Sequence, residues 1–159
     1  MMKEECNKLC YSYQSSIGKI WIQTDGKNIT RISYSEIKDV PIQETTLTKD
    51  AFKQIEEYLE GKRTVFELPL NPQGTPFQKK VWTALQNIPF GETRSYKQIA
   101  EAVGSPQACR AVGLANNRNP IGIVIPCHRV IGANGKLIGY AGGLDVKERL
   151  LRIEKVILI

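Results

Sequence analysis

Between Leu68 and Pro76 the chain reads LPLNPQGTP, and three prolines with a glycine in that stretch forbid a continuous helix or a central strand across it. The apolar period changes on either side. Before it, Leu9 to Tyr13 is a short strand candidate, and KIWIQTDGKNITRISYS holds two β-rich segments around Asp25-Gly26, a favoured tight-turn pair. Thr48 to Glu60 then carries Ala51, Phe52, Ile55, Tyr58 and Leu59 at helical spacing, with Gly61 as the stop.

After the connection the pattern is helical. Thr75 is a candidate N-cap, with Pro76 in the first helical position and Gln78 closing a capping box; Phe77, Val81, Leu85 and Ile88 form the buried face, and Pro89 and Gly91 end it. Ser95 and Gln98 make a second capping box, ahead of Tyr96, Ile99, Ala100 and Val103, and Gly104 stops that helix. Ser105 and Pro106 are expected to restart a helix at once, through Ala108, Ala111, Val112 and Ala115. Two short helices across a Gly-Ser turn make a helix-turn-helix pattern, a grammar shared by helical hairpins that never touch DNA. Ile121, Val124 and Ile125 read as a buried extended segment. The last helix is expected to begin near Asp145, capping with Glu148, and to turn Val146, Leu150, Leu151 and Ile153 inward.

The expected fold is therefore α+β. A small N-terminal β-sheet lobe with one helix (1–68) is joined by a connecting segment (69–76) to a mainly helical C-terminal domain (77–159) that holds the helix-turn-helix and a candidate active cysteine. With 42% hydrophobic and 24% charged residues, the chain has the means to bury a core and is not of disordered composition. Twenty-two basic against sixteen acidic side chains leave a net charge of +6, which favours acidic partners such as nucleic acid or a membrane surface. No window reaches a membrane span, and the start, MMKEECNKLC, lacks the apolar core of a signal peptide, so an intracellular chain is expected. The four cysteines, Cys6, Cys10, Cys109 and Cys127, are too few and too scattered for a disulfide framework. Cys6 and Cys10 have metal-like spacing, but one histidine and no second close cysteine pair leave such a site short of ligands.

That one histidine, His128, directly follows Cys127 in NPIGIVIPCHRVIG. A cysteine among apolar residues is ordinarily an inert core side chain, a description that suits Cys109. At Cys127, Pro126 fixes its own φ and removes a donor, so the chain is expected to turn there. Neighbours in a strand point to opposite faces, and only a turn brings imidazole and thiol together, directly or through one water, to give the thiolate nucleophile. A carboxylate should then orient the imidazole; Glu154 lies near the inward stripe of the last helix, Glu101 and Glu148 read as solvated charges, and spacing alone leaves the choice open.

The string IPCHRV, preceded by Asn119-Pro120 and followed by GYAGGLDVKE, closely resembles the O6-alkylguanine-DNA alkyltransferases, also called methylated-DNA–protein-cysteine methyltransferases. The likeness runs from Thr75 to Glu154 and takes in TPFQKKVW, IPFGETRSY and CRAVG. It implies a protein that flips an O6-alkylated guanine out of double-stranded DNA and moves the alkyl group irreversibly to its own cysteine, with O4-methylthymine left open as a second substrate. In that resemblance Cys127 is the acceptor, His128 the base acting through a water, Glu154 the carboxylate that orients it, and Asn119 the residue that pins the turn. Tyr96 would bond the guanine ring at N3, the carbonyls of Cys127 and Val130 would receive its amine, and the amide of Ala141, beside Tyr140, would face O6. Arg110 resembles the arginine that fills the vacated stack. Ala108 and Ala111, with Ser95 at the turn, belong to the DNA-binding side, through the minor groove. No metal or cofactor is implied, and no membrane partner; a cytoplasmic monomer is expected, nuclear in a eukaryote. Ala141 stands where several relatives have serine, which keeps the amide but loses a hydroxyl. Rival readings are a non-repairing lesion-recognition protein of the same fold, a cysteine hydrolase, and a DNA-binding module without chemistry.

Overall fold

The computed structural model describes residues 7–156, so Cys6, half of the Cys6 and Cys10 pair, lies outside the described residues. The described chain forms two compact units. One contains residues up to Gln73 together with Pro120–Gly122, and the other contains Gly74–Asn119 and the chain from Ile123 onward. The division falls inside LPLNPQGTP, and the three-residue return of Pro120–Gly122 to the first unit was not expected from the sequence.

In the first unit, strands β1 (Leu9–Ser15), β2 (Gly18–Thr24) and β3 (Ile29–Ser33) form an antiparallel sheet in the order β1-β2-β3. The second turn is the one the Asp25-Gly26 pair predicts: Asp25 Oδ1 accepts from the amides of Lys27 and Asn28 at 2.9 and 2.8 Å. Helix α1 (Thr46–Leu59) is closed at its start by a Thr45–Thr48 capping box and buries Ala51, Ile55 and Tyr58. These residues, with Ile20, Ile22, Ile29 and Ile32, make the core of the unit. Pro120–Gly122 belongs to it through Ile32, whose N–H donates to Pro120 at 2.9 Å.

The second unit contains α2 (Pro76–Gln86), α3 (Tyr96–Ala102), α4 (Cys109–Asn117) and α5 (Leu144–Ile153), with a two-residue parallel pair, β4 (Arg94–Ser95) and β5 (Val130–Ile131). Both predicted capping boxes are present: Thr75 accepts from Gln78 N and Ser95 from Gln98 N, each at 3.1 Å. Gly104 ends α3 with φ +78°, a left-handed conformation that glycine adopts without strain. Trp82 on α2 is 2% exposed, and its indole N–H donates to the Ala115 carbonyl at 2.9 Å, fastening α4 to α2. A Cβ built at Gly74 would fall inside contact distance of that indole ring and of Gln78 Oε1. Gly74→Ala is therefore expected to cost about 1–3 kcal/mol by overpacking, read as a lower urea midpoint.

Three local expectations are corrected here. Helix α4 starts at Cys109, not at Ser105: Ser105 to Ala108 forms a turn closed by Ala108 N–H to Ser105 O at 2.9 Å, and Ala108 caps without a side-chain bond. The last helix starts at Leu144 with Gly143 as its cap, which leaves Asp145 inside the first turn, where its charge complements the helix dipole instead of capping. Residues 121–125 are buried as expected but turn rather than extend, and Ile123 sits at φ +70°, a strained position for a β-branched side chain.

Candidate active site

The turn demanded by Pro126 exists. Pro126 has φ −79° and ψ 65°, the geometry of an inverse γ-turn, and Cys127 N–H donates back to Ile125 O at 2.8 Å. Residues Cys127–Arg129 then form one 3-10 turn, in which successive side chains diverge by a third of a revolution instead of lying on opposite faces. Asn119 Nδ2 donates to the same Ile125 carbonyl at 2.8 Å, so the approach to Cys127 is tied from two sides. The pair β4/β5 sets Ser95 beside Ile131 and Arg94 beside Val130, which brings the start of α3, with Tyr96, to the segment leaving the turn.

Cys127 is buried, with 7% of the residue exposed. Burial raises its thiol pKa; the Asn119 side chain, the positive charge of Lys147 and a backbone hydrogen bond act in the opposite direction without overcoming it. The resting group is a thiol, and its anion has help in place. Tyr96 is half-buried, its phenol pushed up by burial and by the proximity of Cys127, and its hydroxyl donates to Ile138 O at 3.2 Å.

His128 is fully buried, and its Nε2 lies 2.8 Å from Glu154 Oε2. Of the three carboxylates open from spacing, it is therefore Glu154 that meets the imidazole; Glu101 is exposed, and Glu148 pairs with Arg152 at the surface. Burial acts to raise the Glu154 pKa, but the hydrogen bond from His128, the Arg129 guanidinium and the Gly91 amide outweigh it and hold the carboxyl at about 2. With Glu154 ionised, Nε2 carries the ring proton, and Nδ1 is the basic nitrogen. Burial also keeps the imidazole neutral: it lowers the His128 pKa, and the charges of Arg129 and Lys147 lower it further against the pull of Glu154.

Two buried cations were not found from the sequence. Arg129 is 7% exposed; its Nε and Nη2 donate to Glu154 at 2.9 and 3.0 Å, and its Nη1 donates to the Ile88 carbonyl. Lys147 is fully buried, its Nζ donating to Ile138 O at 2.8 Å and Gly139 O at 3.2 Å, with its pKa lowered by burial to about 8. A signal for Lys147 was available: Lys147, Leu150, Leu151 and Glu154 fall at i, i+3, i+4 and i+7, a helical stripe on which both charged members are buried. Val146 and Ile153, expected inward, are only half-buried.

The remaining predicted residues separate into two groups. Val130 is buried directly after the 3-10 turn, Tyr140 stands 6.5 Å from the His128 ring between centroids, and Ala141 is exposed on the loop ahead of α5. On α4, Arg110 and Ala111 are exposed with Leu114, whereas Ala115 is buried; Ala108 and Cys109 are half-buried, so Cys109 is not the core residue expected. Ser95 spends its hydroxyl on capping α3. Among the described residues no three His, Cys, Asp or Glu side chains gather as a metal site requires, and no helix is long and apolar enough to cross a membrane.

Residues 76–156 match the family model described as 6-O-methylguanine DNA methyltransferase, DNA binding domain, and residues 8–72 match the ribonuclease-like domain of the same methyltransferase. The chain is 49% identical over 148 residues to a methylated-DNA–protein-cysteine methyltransferase of Methanosarcina acetivorans, covering 89% of this chain and 95% of that one. It is 46% identical over 153 residues to the constitutive methylated-DNA–protein-cysteine methyltransferase of Bacillus subtilis, covering 90% and 93%. The crystal structure of Mycobacterium tuberculosis OGT in complex with DNA superposes with a TM-score of 0.87 at 43% identity, over 92% of each chain.

Proposed function

Because the chain belongs to the 6-O-methylguanine DNA methyltransferase family, matched by both of its domain models, we propose that it repairs O6-alkylguanine in double-stranded DNA by taking the alkyl group onto Cys127. The observation that carries this reading is the 3-10 turn that sets Cys127 beside a buried His128–Glu154–Arg129 network.

In the reaction, Cys127 Sγ forms a bond to the methyl carbon as the carbon–O6 bond breaks, and that electron pair stays with the guanine. The proton lost by the thiol passes through a water to His128 Nδ1; the guanine anion takes one proton from water and His128 returns one to water, so the thiol proton is balanced by the proton gained by the base. Glu154 fixes the imidazole so that the basic nitrogen is the one not bonded to it. The Tyr96 hydroxyl and the Ala141 amide donate to the base as negative charge develops at N3 and O6. A thioether has no carbonyl and no leaving group that His128 can activate, so each molecule reacts once.

Extruding the base costs a few kcal/mol, which contacts to the duplex must offset. The exposed Arg110 and small Ala111 on α4 suit close approach to the minor groove, with Arg110 in the place of the lost base. Arg110→Ala is expected to weaken binding to a lesion-bearing duplex about tenfold, measured by fluorescence anisotropy, while changing transfer from the free base little. Equal losses on both substrates would remove the wedge role. The protein acts as a monomer where DNA is held, in the cytoplasm or, in a eukaryote, the nucleus.

The decisive experiment is to incubate the protein with a duplex containing O6-methylguanine and measure its intact mass. A gain of one CH2 mapped to Cys127, stoichiometric with protein, is expected. Retained binding with no gain would indicate a lesion-recognition protein, and repeated turnover through an acyl intermediate a hydrolase.

A further inference from the structure

A fully buried lysine is uncommon, and a buried ammonium is ordinarily met by a carboxylate. Lys147 is not: among the described residues its Nζ bonds only the carbonyls of Ile138 and Gly139, and no carboxylate lies within ion-pair distance. Helix α5, which carries Lys147, packs on the 3-10 turn of Cys127–Arg129, and across that packing each group favours the charged form of the other, Cys127 acting to keep Lys147 charged and Lys147 favouring the Cys127 anion. One of its acceptors, Ile138 O, is also the acceptor of the Tyr96 hydroxyl, so two donors share one carbonyl.

We propose that Lys147 is a positioning residue for alkyl transfer: its buried ammonium supplies the counter-charge to the Cys127 thiolate and keeps the Ile138 carbonyl bonded when the Tyr96 hydroxyl turns to the incoming base. The inference rests on the roles given above to Cys127 and Tyr96. It explains why a cation is carried in the interior without an anionic partner: the anion is the reactive form of the nucleophile, present only as the reaction proceeds. The other charges in the network, Glu154 and Arg129, act on His128, as does Lys147 itself; among the described residues the charged group that favours the thiolate is Lys147. The same side chain holds the loop through Gly139, two residues before the Ala141 amide.

The test uses the full chain with Lys147→Met, which keeps length and loses charge, and Lys147→Arg, which keeps charge. Thiolate absorbance of each, with the same variant carrying Cys127→Ser subtracted, reports ionisation of Cys127. In Lys147→Met the titration is expected to move to higher pH, and single-turnover transfer from an O6-methylguanine duplex to slow about tenfold at neutral pH. The deficit should narrow as pH rises and thiolate forms unaided, while the melting temperature does not fall, because an unpaired buried charge has been removed. Lys147→Arg should recover part of the rate. An unmoved Cys127 titration in the folded variant would overturn the proposal, as would a deficit independent of pH accompanied by lower stability. Should Lys147→Met not fold, Cys127→Ser supplies the reciprocal measurement by 15N NMR of the Lys147 ammonium: its titration falls to lower pH if the two groups are coupled, and an unchanged titration overturns the coupling. Absence of methyl transfer by the unsubstituted protein, with the thiol titration still moved by Lys147→Met, would sink the repair reading while upholding the coupling.

Discussion

Cys127→Ser gives a protein that melts like the unsubstituted chain, binds a lesion-bearing duplex with undiminished affinity, and gains no mass from it. The rate loss should be roughly 10⁴-fold or more, since a hydroxyl in this setting is a far weaker acid and nucleophile than a thiol. The fold is expected to survive because the local structure does not depend on the sulfur. The turn is held by Cys127 N–H to Ile125 O, by Arg129 N–H to Pro126 O and by Asn119 Nδ2 to Ile125 O, all of which remain. Mass spectrometry, anisotropy and a thermal melt on one preparation check the three parts. Loss of folding together with transfer would instead make Cys127 a packing residue.

Glu154→Ala should do more damage to the molecule than Cys127→Ser. The carboxylate is the single acceptor on which His128 Nε2, the Arg129 guanidinium and the Gly91 amide converge, the last at 3.0 Å. Truncation strands the Arg129 charge in the interior, at about 3–5 kcal/mol, a large share of the stability of a domain this size. That corresponds to a melting temperature lower by about 10 °C, with transfer lost as well because the imidazole is no longer held. Acid should reproduce the effect in the unsubstituted protein. The folded pKa of Glu154, about 2, lies below its ordinary 4.5, so the native state binds fewer protons there than the unfolded chain. The stabilisation is complete above pH 4.5 and drains away as pH falls toward 2. Urea midpoints taken across that range should drop for the unsubstituted protein and much less for Glu154→Gln.

What was legible in the sequence divides along a physical line. Capping boxes at Thr75 and Ser95 and the stop at Gly104 were readable because each is closed by groups three residues apart or by one backbone conformation. The turn at Cys127 was readable because proline constrains its own residue. The start of α4 was misplaced because Ser105-Pro106 also opens a turn, and only packing decides which. Lys147 was passed over because lysine belongs on the surface by default: the helical stripe it shares with Leu150 and Leu151 was readable, but the loop carbonyls of Ile138 and Gly139 that receive its ammonium were not. Arg129 was missed for a related reason: its partners, Ile88 and Glu154, lie 41 and 25 residues away.

The pairing of His128 with Glu154, which closes a loop of 26 residues and ends at the C-cap of α5, has a consequence for the order of events during synthesis. Cys127 and His128 leave the ribosome before Glu154, the carboxylate to which the imidazole bonds. Until α5 has been made and docked, the imidazole lacks its tether, and in the proposed mechanism the thiol stays dormant. If Cys127 is the acceptor proposed above, a thiol that reacts once is thereby armed only after α5 has docked, which spares the unfinished chain from stray electrophiles.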